Sequence, residues 1–140
     1  MILLDTNVIS ELLRPLPHAG VCNWVDEQPL ETLYLSTMTV AELRAGVALM
    51  PTGKRQAALH EHIEKRVLPM FATRVLSFNM ACTQAYAAIM AKVRAAGAGI
   101  ETADACIAAV ALANGFFVAT RDESPFVAAG LDVINPWKLT

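Results

Sequence analysis

An α/β fold, three layers deep around a short and mainly parallel sheet, is what this chain of 140 residues predicts. Two observations carry that prediction. Short apolar runs of strand character alternate with longer segments of helical periodicity along the whole chain. Between them stand Pro, Gly and capping residues, at the points where a helix has to start or stop.

Ile2–Leu4 reads as a short buried strand, and Thr6 as the cap of a helix that runs through Leu13 until Pro15 and Pro17 break it. A second helix, Val21–Glu27, stops before Pro29. Leu33–Leu35 is the second strand, and Ser36, Thr37 and Thr39 offer caps for a helix from Met38 to Leu49. Met50-Pro51-Thr52-Gly53 makes a turn, and Lys54–Val67 an amphipathic helix ending before Pro69. Val75–Phe78 is the third strand, and Asn79 caps a long Ala-rich helix to Ala96. Gly97-Ala98-Gly99 is the loosest point of the chain. The last helix spans Thr102–Asn114, with Gly115 as its left-handed terminator, and Phe116–Ala119 and Asp132–Ile134 complete the strands. No linker, repeat or low-complexity segment divides residues 1–140, so one domain is expected.

Composition narrows the function. At 55% apolar and 17% charged, with mean hydropathy +0.43, the chain carries more apolar sequence than one small core needs. A second copy of the chain is the expected cover for the surplus. The net charge of −2 and pI of about 5.9 give no overall basic field, which weighs against a plain nucleic-acid-binding module. Lys54, Arg55, Lys65 and Arg66 read as a solvated helix face. Cys22, Cys82 and Cys106 are odd in number and far apart, so they are expected to be reduced core residues. The opening Met-Ile-Leu-Leu-Asp has no basic start or cleavage signature, and no apolar run reaches spanning length. A cytoplasmic location without a membrane partner is expected.

Four acids fall where an apolar element ends or a helix begins. Asp5 closes Ile2-Leu3-Leu4, Glu42 lies one turn into the third helix, Asp104 heads the apolar Ile107–Ala111 helix, and Asp122 follows Phe116–Ala119. In open parallel sheets both kinds of position lie at the carboxyl edge of the strands. Asp104 shares a helical stripe with Ile107, Ala108 and Ala111, and Glu42 with Ala45, Gly46 and Leu49, so both are expected to point inward. Singly, each acid has a bland role: Asp5 a cap, Asp104 a partner of the helix dipole, Asp122 a turn residue. Together they raise one another's pKa unless a cation intervenes, and a hard divalent ion with oxygen ligands is the natural one. That chemistry suits an enzyme acting on phosphate esters.

The segments Leu-Leu-Asp5-Thr6-Asn7-Val-Ile-Ser, Ser36-Thr-Met-Thr-Val-Ala-Glu42-Leu-Arg-Ala-Gly46, Thr102-Ala-Asp104-Ala-Cys-Ile-Ala-Ala and Ala119-Thr-Arg-Asp122 resemble those of PIN-domain ribonucleases. The resemblance is to the VapC-type toxin branch, and within it to the FitB-like proteins that end in Asn135-Pro136-Trp137. It implies Mg²⁺- or Mn²⁺-dependent endonucleolytic cleavage of RNA, with 5′-phosphate and 3′-hydroxyl products. By motif, Asp5, Glu42, Asp104 and Asp122 carry over as the acidic quartet. In many relatives the last motif reads Thr-Arg-Asn with an acid three positions on; here Pro125 stands at that position and Asp122 at the Asn site. Asp122 is therefore expected to supply the fourth acid itself. The first ion is expected between Asp5 and Asp104, with Glu42 reaching it directly or through water, and a second ion leaning on Asp122 only with RNA bound. Thr6, Asn7 and Thr120 are candidate partners of carboxylates or water, and Arg121 of a phosphate or a surface acid. The resemblance further implies a cognate antitoxin that shields the acids, an Arg or Lys among them standing in for metal charge, and that brings the complex to operator DNA.

Other motifs fall short. Gly46 and Gly53-Lys54 are too far apart for a phosphate loop, and Arg55 stands where Ser or Thr would hold Mg²⁺. His60 and His62 face different sides of a helix with no further ligand at zinc spacing. A haloacid-dehalogenase-type phosphatase also opens on a strand ending in Asp, but needs a second Asp where Asn7 stands. A catalytically silent PIN-like interaction module is the remaining alternative.

Overall fold

A computed structural model describes residues 1–139. Its centre is β1 (Ile2–Leu4), whose three residues are all buried because both faces of the strand are covered. Ile2 and Leu4 enter one core, with Leu33, Leu35, Val8, Leu43 and Val47. Leu3 points the other way, into a core of Ile107, Ala108, Ala111, Val118 and Phe126. The period of two along an extended chain thus divides one strand between two helical layers.

Parallel strands flank β1 on both sides. The order is β3 (Val75–Leu76), β2 (Leu33–Ser36), β1, β4 (Phe117–Ala119) and β5 (Val133–Ile134), and every pairing is parallel. The register sets Ile2 against Leu33 and Leu4 against Ala119. The ends of β1 and β4 are therefore level.

Eight α-helices are described: α1 (Thr6–Leu12), α2 (Ala19–Glu27), α3 (Thr37–Ala48), α4 (Lys54–His62), α5 (Leu68–Met70), α6 (Met80–Ala95), α7 (Thr102–Asn114) and α8 (Glu123–Ala128). The expected caps Ser36 and Asn79 accept the N–H of Thr39 and Cys82, and Gly115 ends α7 at φ 71°. At α1 the cap is Asp5 and not Thr6, since the carboxylate already accepts the Thr6 N–H.

Three departures have local causes. The expected helix Lys54–Val67 is α only to His62; Ile63–Val67 is a π turn, and α5 carries the helical path past Pro69. The wider turn keeps Ile63 and Val67 both in the core, and Pro69 falls in the first turn of α5, where no N–H is required. Helix α8, with Pro125 inside it, was not expected; it is secured by Phe126, which is fully buried. Of the cysteines only Cys82 is fully buried, and all three are free thiols. No helix among the described residues is long and apolar enough to cross a membrane.

Candidate active site

Because β1 and β4 pair in parallel and end level, the residues that follow them, Asp5 and Thr120, come side by side. The Asp5 N–H closes the ladder on the Ala119 carbonyl at 2.9 Å. Its carboxylate is 4% exposed, and both oxygens are engaged. Oδ1 accepts the Thr6 N–H at 2.8 Å, and Oδ2 accepts the Thr120 hydroxyl at 2.8 Å. Thr120 Oγ1 in turn accepts from Asn7 Nδ2 and from the Asp122 N–H, each at 3.2 Å. One donation and two acceptances exhaust a hydroxyl, so the Thr120 rotamer is fixed. Asn7 Oδ1 accepts the Arg121 N–H at 3.3 Å, which orients the Asn7 amide.

Glu42 joins from α3. Its Oε1 accepts the Thr6 hydroxyl at 2.6 Å, and Thr6 Oγ1 also lies 3.1 Å from Thr39 Oγ1. The stripe expected to bury Glu42 is wrong. Ala45 and Gly46 are exposed, and Leu49 is 85% exposed, whereas Thr39, Leu43 and Val47 form the packed face of α3. Glu42 sits at the margin of that face, turned toward Thr6, and owes its place to that one hydrogen bond. For α7 the expectation holds: Ala105, Ile107, Ala108 and Ala111 are buried, and Asp104 is half-buried at the start of the same helix. Asp122 precedes α8, is exposed, and makes no capping bond to that helix.

The acids feel one another. Asp104 is pushed up to about 6, first by burial and then by the charges of Asp5, Glu42, Asp122 and Glu101. Burial also raises Asp5; the Thr120 and Thr6 hydrogen bonds oppose that, and the charges of Glu42 and Asp122 add to it. No ion pair to a Lys, Arg or His relieves any of the four among the described residues. Nor do any three Asp, Glu, His or Cys side chains among those residues close into a ready-made ion cage. The donors are all hard oxygens, which fits an ion that keeps much of its water and takes few protein ligands, as Mg²⁺ does.

Two clefts open from this edge. One, of about 660 Å³, is lined by Asp104 and Asp122 with Glu101, Ser124, Pro125 and the 98–100 loop. The other, of about 470 Å³, holds Glu42 together with Ser10, Arg14 and Arg55. Arg121 does not form the surface ion pair weighed for it; its guanidinium lies 5.5 Å from the centre of the Trp137 ring. Two contributors escaped the sequence reading. Thr39 is buried beside Thr6, and Asn135 is buried with its amide on the Arg121 carbonyl at 3.2 Å. Thr39 looked like a spare helix cap, and Asn135 carried no signal beyond its place in Asn-Pro-Trp.

The PIN domain family model matches residues 2–130. The chain belongs to the PIN-domain family. Among curated relatives of this PIN-domain chain, the plasmid stability protein StbB of Pseudomonas syringae pv. tomato is 71% identical over 99% of each chain. The VapC ribonuclease Y4jK of Sinorhizobium fredii is 55% identical over 99% of each, and Toxin FitB of Neisseria gonorrhoeae 50% identical over 98% of this chain and 99% of its own. In a solved structure of FitAB bound to an IR36 DNA fragment, one chain aligns with TM-score 0.96 at 49% identity, covering 100% of this PIN domain chain and 98% of that one.

Proposed function

We propose that this PIN-domain protein is a Mg²⁺- or Mn²⁺-dependent endoribonuclease and the toxin of a toxin–antitoxin pair. The observation that carries the reading is the uncompensated charge at the sheet edge, where Asp104 is pushed up to about 6 by burial and its acidic neighbours. Half-buried carboxylates that find no protein cation are what a divalent ion stabilises. Asp5 and Asp104 hold the ion, Glu42 reaches it directly or through water, and Asp122 serves a second position nearer the substrate. When bound, the ion supplies Lewis acidity toward the phosphodiester and acidifies the attacking water.

The chain's own groups do the positioning. Thr6 and Thr120 hold Glu42 and Asp5 in fixed rotamers, so that little reorganisation is left for the moment of reaction. Asn7 keeps the Thr120–Arg121 loop against Asp5. Arg121 meets a phosphate of the substrate. A phosphatase that uses Asp5 as nucleophile is disfavoured: both its oxygens are bonded, and Asn7 holds a loop where that chemistry needs an acid.

The relatives named ribonuclease and toxin, and the DNA-bound FitAB complex, support an antitoxin partner that covers the acids and brings the pair to operator DNA. The same reading keeps the protein in the cytoplasm. It also keeps a homodimer, for which exposed Leu16, Leu49 and Val127 supply apolar surface.

The test is cleavage of a structured RNA pool by the purified chain with Mg²⁺ or Mn²⁺ against EDTA, beside an Asp5→Asn control. Metal-dependent cutting lost in the control is expected. Cutting that survives EDTA or the substitution would overturn the reading, and absence of both cutting and Mn²⁺ binding would leave a silent interaction module.

A further inference from the structure

The residues after β5 run back across the sheet edge and close on the loop that presents Asp122. Asp122 has little hold of its own: its backbone N–H reaches Thr120 Oγ1 at 3.2 Å, and its side chain caps nothing. What fixes the loop comes from elsewhere. The Thr120 N–H bonds the Ile134 carbonyl at 2.9 Å, and the Arg121 carbonyl accepts Asn135 Nδ2 at 3.2 Å. The same Nδ2 donates to Glu123 Oε2 at 3.0 Å, so the buried Asn135 amide bridges the residues on either side of Asp122. Asn135 Oδ1 accepts the Trp137 N–H at 3.0 Å. That bond decides which end of the amide is the donor, and it turns the NH₂ group toward the loop.

Trp137 grips the loop from its other side. It is half-buried against the core cluster to which Leu4, Val8 and Val21 belong, which makes its ring a stationary surface. Arg121 lies over that ring, with its guanidinium carbon 5.5 Å from the centroid. A surface arginine otherwise samples many rotamers at an entropic cost to any complex it forms. Here one orientation is selected beforehand, while its five donors keep their access to an anion.

We propose that Asn135 and Trp137 are positioning residues for the nuclease site: Asn135 sets the place of Asp122, and Trp137 holds Arg121 ready for a phosphate of the RNA strand. Neither touches substrate, metal or the reacting atoms. The inference rests on the ribonuclease reading of the acids, but it assigns the Asn-Pro-Trp segment a part in catalysis and binding that goes beyond packing.

The two residues act on different steps, and kinetics separates them. Asn135→Asp replaces the amide donor with an acceptor opposite a carbonyl and a carboxylate. It should lower kcat about tenfold and raise about threefold the Mn²⁺ concentration that gives half-maximal cleavage. Trp137→Leu should raise KM for RNA about threefold with kcat nearly unchanged, and Trp137→Phe, which restores a ring face, should bring KM back toward wild type. Each is read on protein whose circular dichroism and unfolding midpoint show a native fold.

A folded Asn135→Asp chain with wild-type kcat and wild-type Mn²⁺ requirement for cleavage would overturn the first half, and equal KM for Leu and Phe at position 137 the second. If Asn135→Asp does not fold, the pair at 137 still decides whether the segment serves the site. A wild-type chain that neither cuts RNA nor binds Mn²⁺ would remove the ribonuclease reading and this inference together. An active wild type with unaffected variants removes this inference alone.

Discussion

Asp5 and Asp122 follow adjacent parallel strands, yet the fold treats them in opposite ways. Asp5 is buried, takes a hydrogen bond on each oxygen, and closes the backbone ladder itself. Asp122, three residues beyond the end of β4, is exposed and is placed only through the peptide groups around it. The difference teaches that the site has a rigid half and an adaptable half. The buried half is costly to assemble, and the ion proposed for it would depend on a fixed carboxylate. In the exposed half only the Asp122 side chain, which caps nothing, is free to turn as substrate arrives, and its loss should be milder.

The sharpest way to break that contrast is to neutralise the acids one at a time. Asp5→Asn and Asp104→Asn should each lower the initial rate of metal-dependent RNA cleavage by a factor on the order of 10³ or more, with cooperative unfolding retained. Asp122→Asn should cost less, about tenfold to a hundredfold, and equal losses at positions 104 and 122 would erase the distinction between the halves.

Next comes the support of the rigid half. Thr120→Val removes the hydroxyl from Asp5 Oδ2 and should weaken Mn²⁺ binding about tenfold in calorimetry. Unchanged affinity would mean that Asp5 needs no such partner.

The smallest effect concerns pH. Asp104 is raised to about 6 from an ordinary 3.8, so its favourable contribution to the metal-free fold is full below about 3.8 and is lost as pH rises through about 6. In EDTA, Asp104→Asn should therefore raise the unfolding midpoint by about 3 °C at pH 7.5 and change it little at pH 4. Mn²⁺ should narrow the gap at pH 7.5 by binding the wild type preferentially. A variant less stable than wild type at pH 7.5 would contradict the proposed repulsion.

How far the sequence discloses this molecule depends on the length over which each signal is written. Helix α7 is readable to the residue, because a thirteen-residue, largely apolar segment ends in a glycine that takes φ 71°. Asp104 inherits its place from that long pattern. Helix α8 has six residues with a proline among them and is held by one buried phenylalanine, too little for periodicity to register. Glu42 does lie beside Thr6, but not through the stripe the sequence suggests. Small residues on α3 look like a close-packing face, whereas it is Thr39, Leu43 and Val47 that pack, and Thr6 that turns the carboxylate inward. The part proposed for Asn135 was invisible because it rests on hydrogen bonds from its amide to a backbone carbonyl and a carboxylate that only the fold brings near.

Strand order has a consequence for the timing of synthesis. The central strand β1 is the first made, and its carboxyl-edge partner Thr120 follows Asp5 by 115 residues. Until β4 has left the ribosome, β1 lacks one of its two neighbouring strands and Asp5 its second hydrogen bond, and until β5 follows, the loop of Asp122 has nothing to lie against. A chain broken off before β4 holds three of the acids but lacks Thr120 and Asp122. For the proposed nuclease, assembly of the edge is therefore a late event of folding, and a fragment ended before β4 should be inert toward RNA.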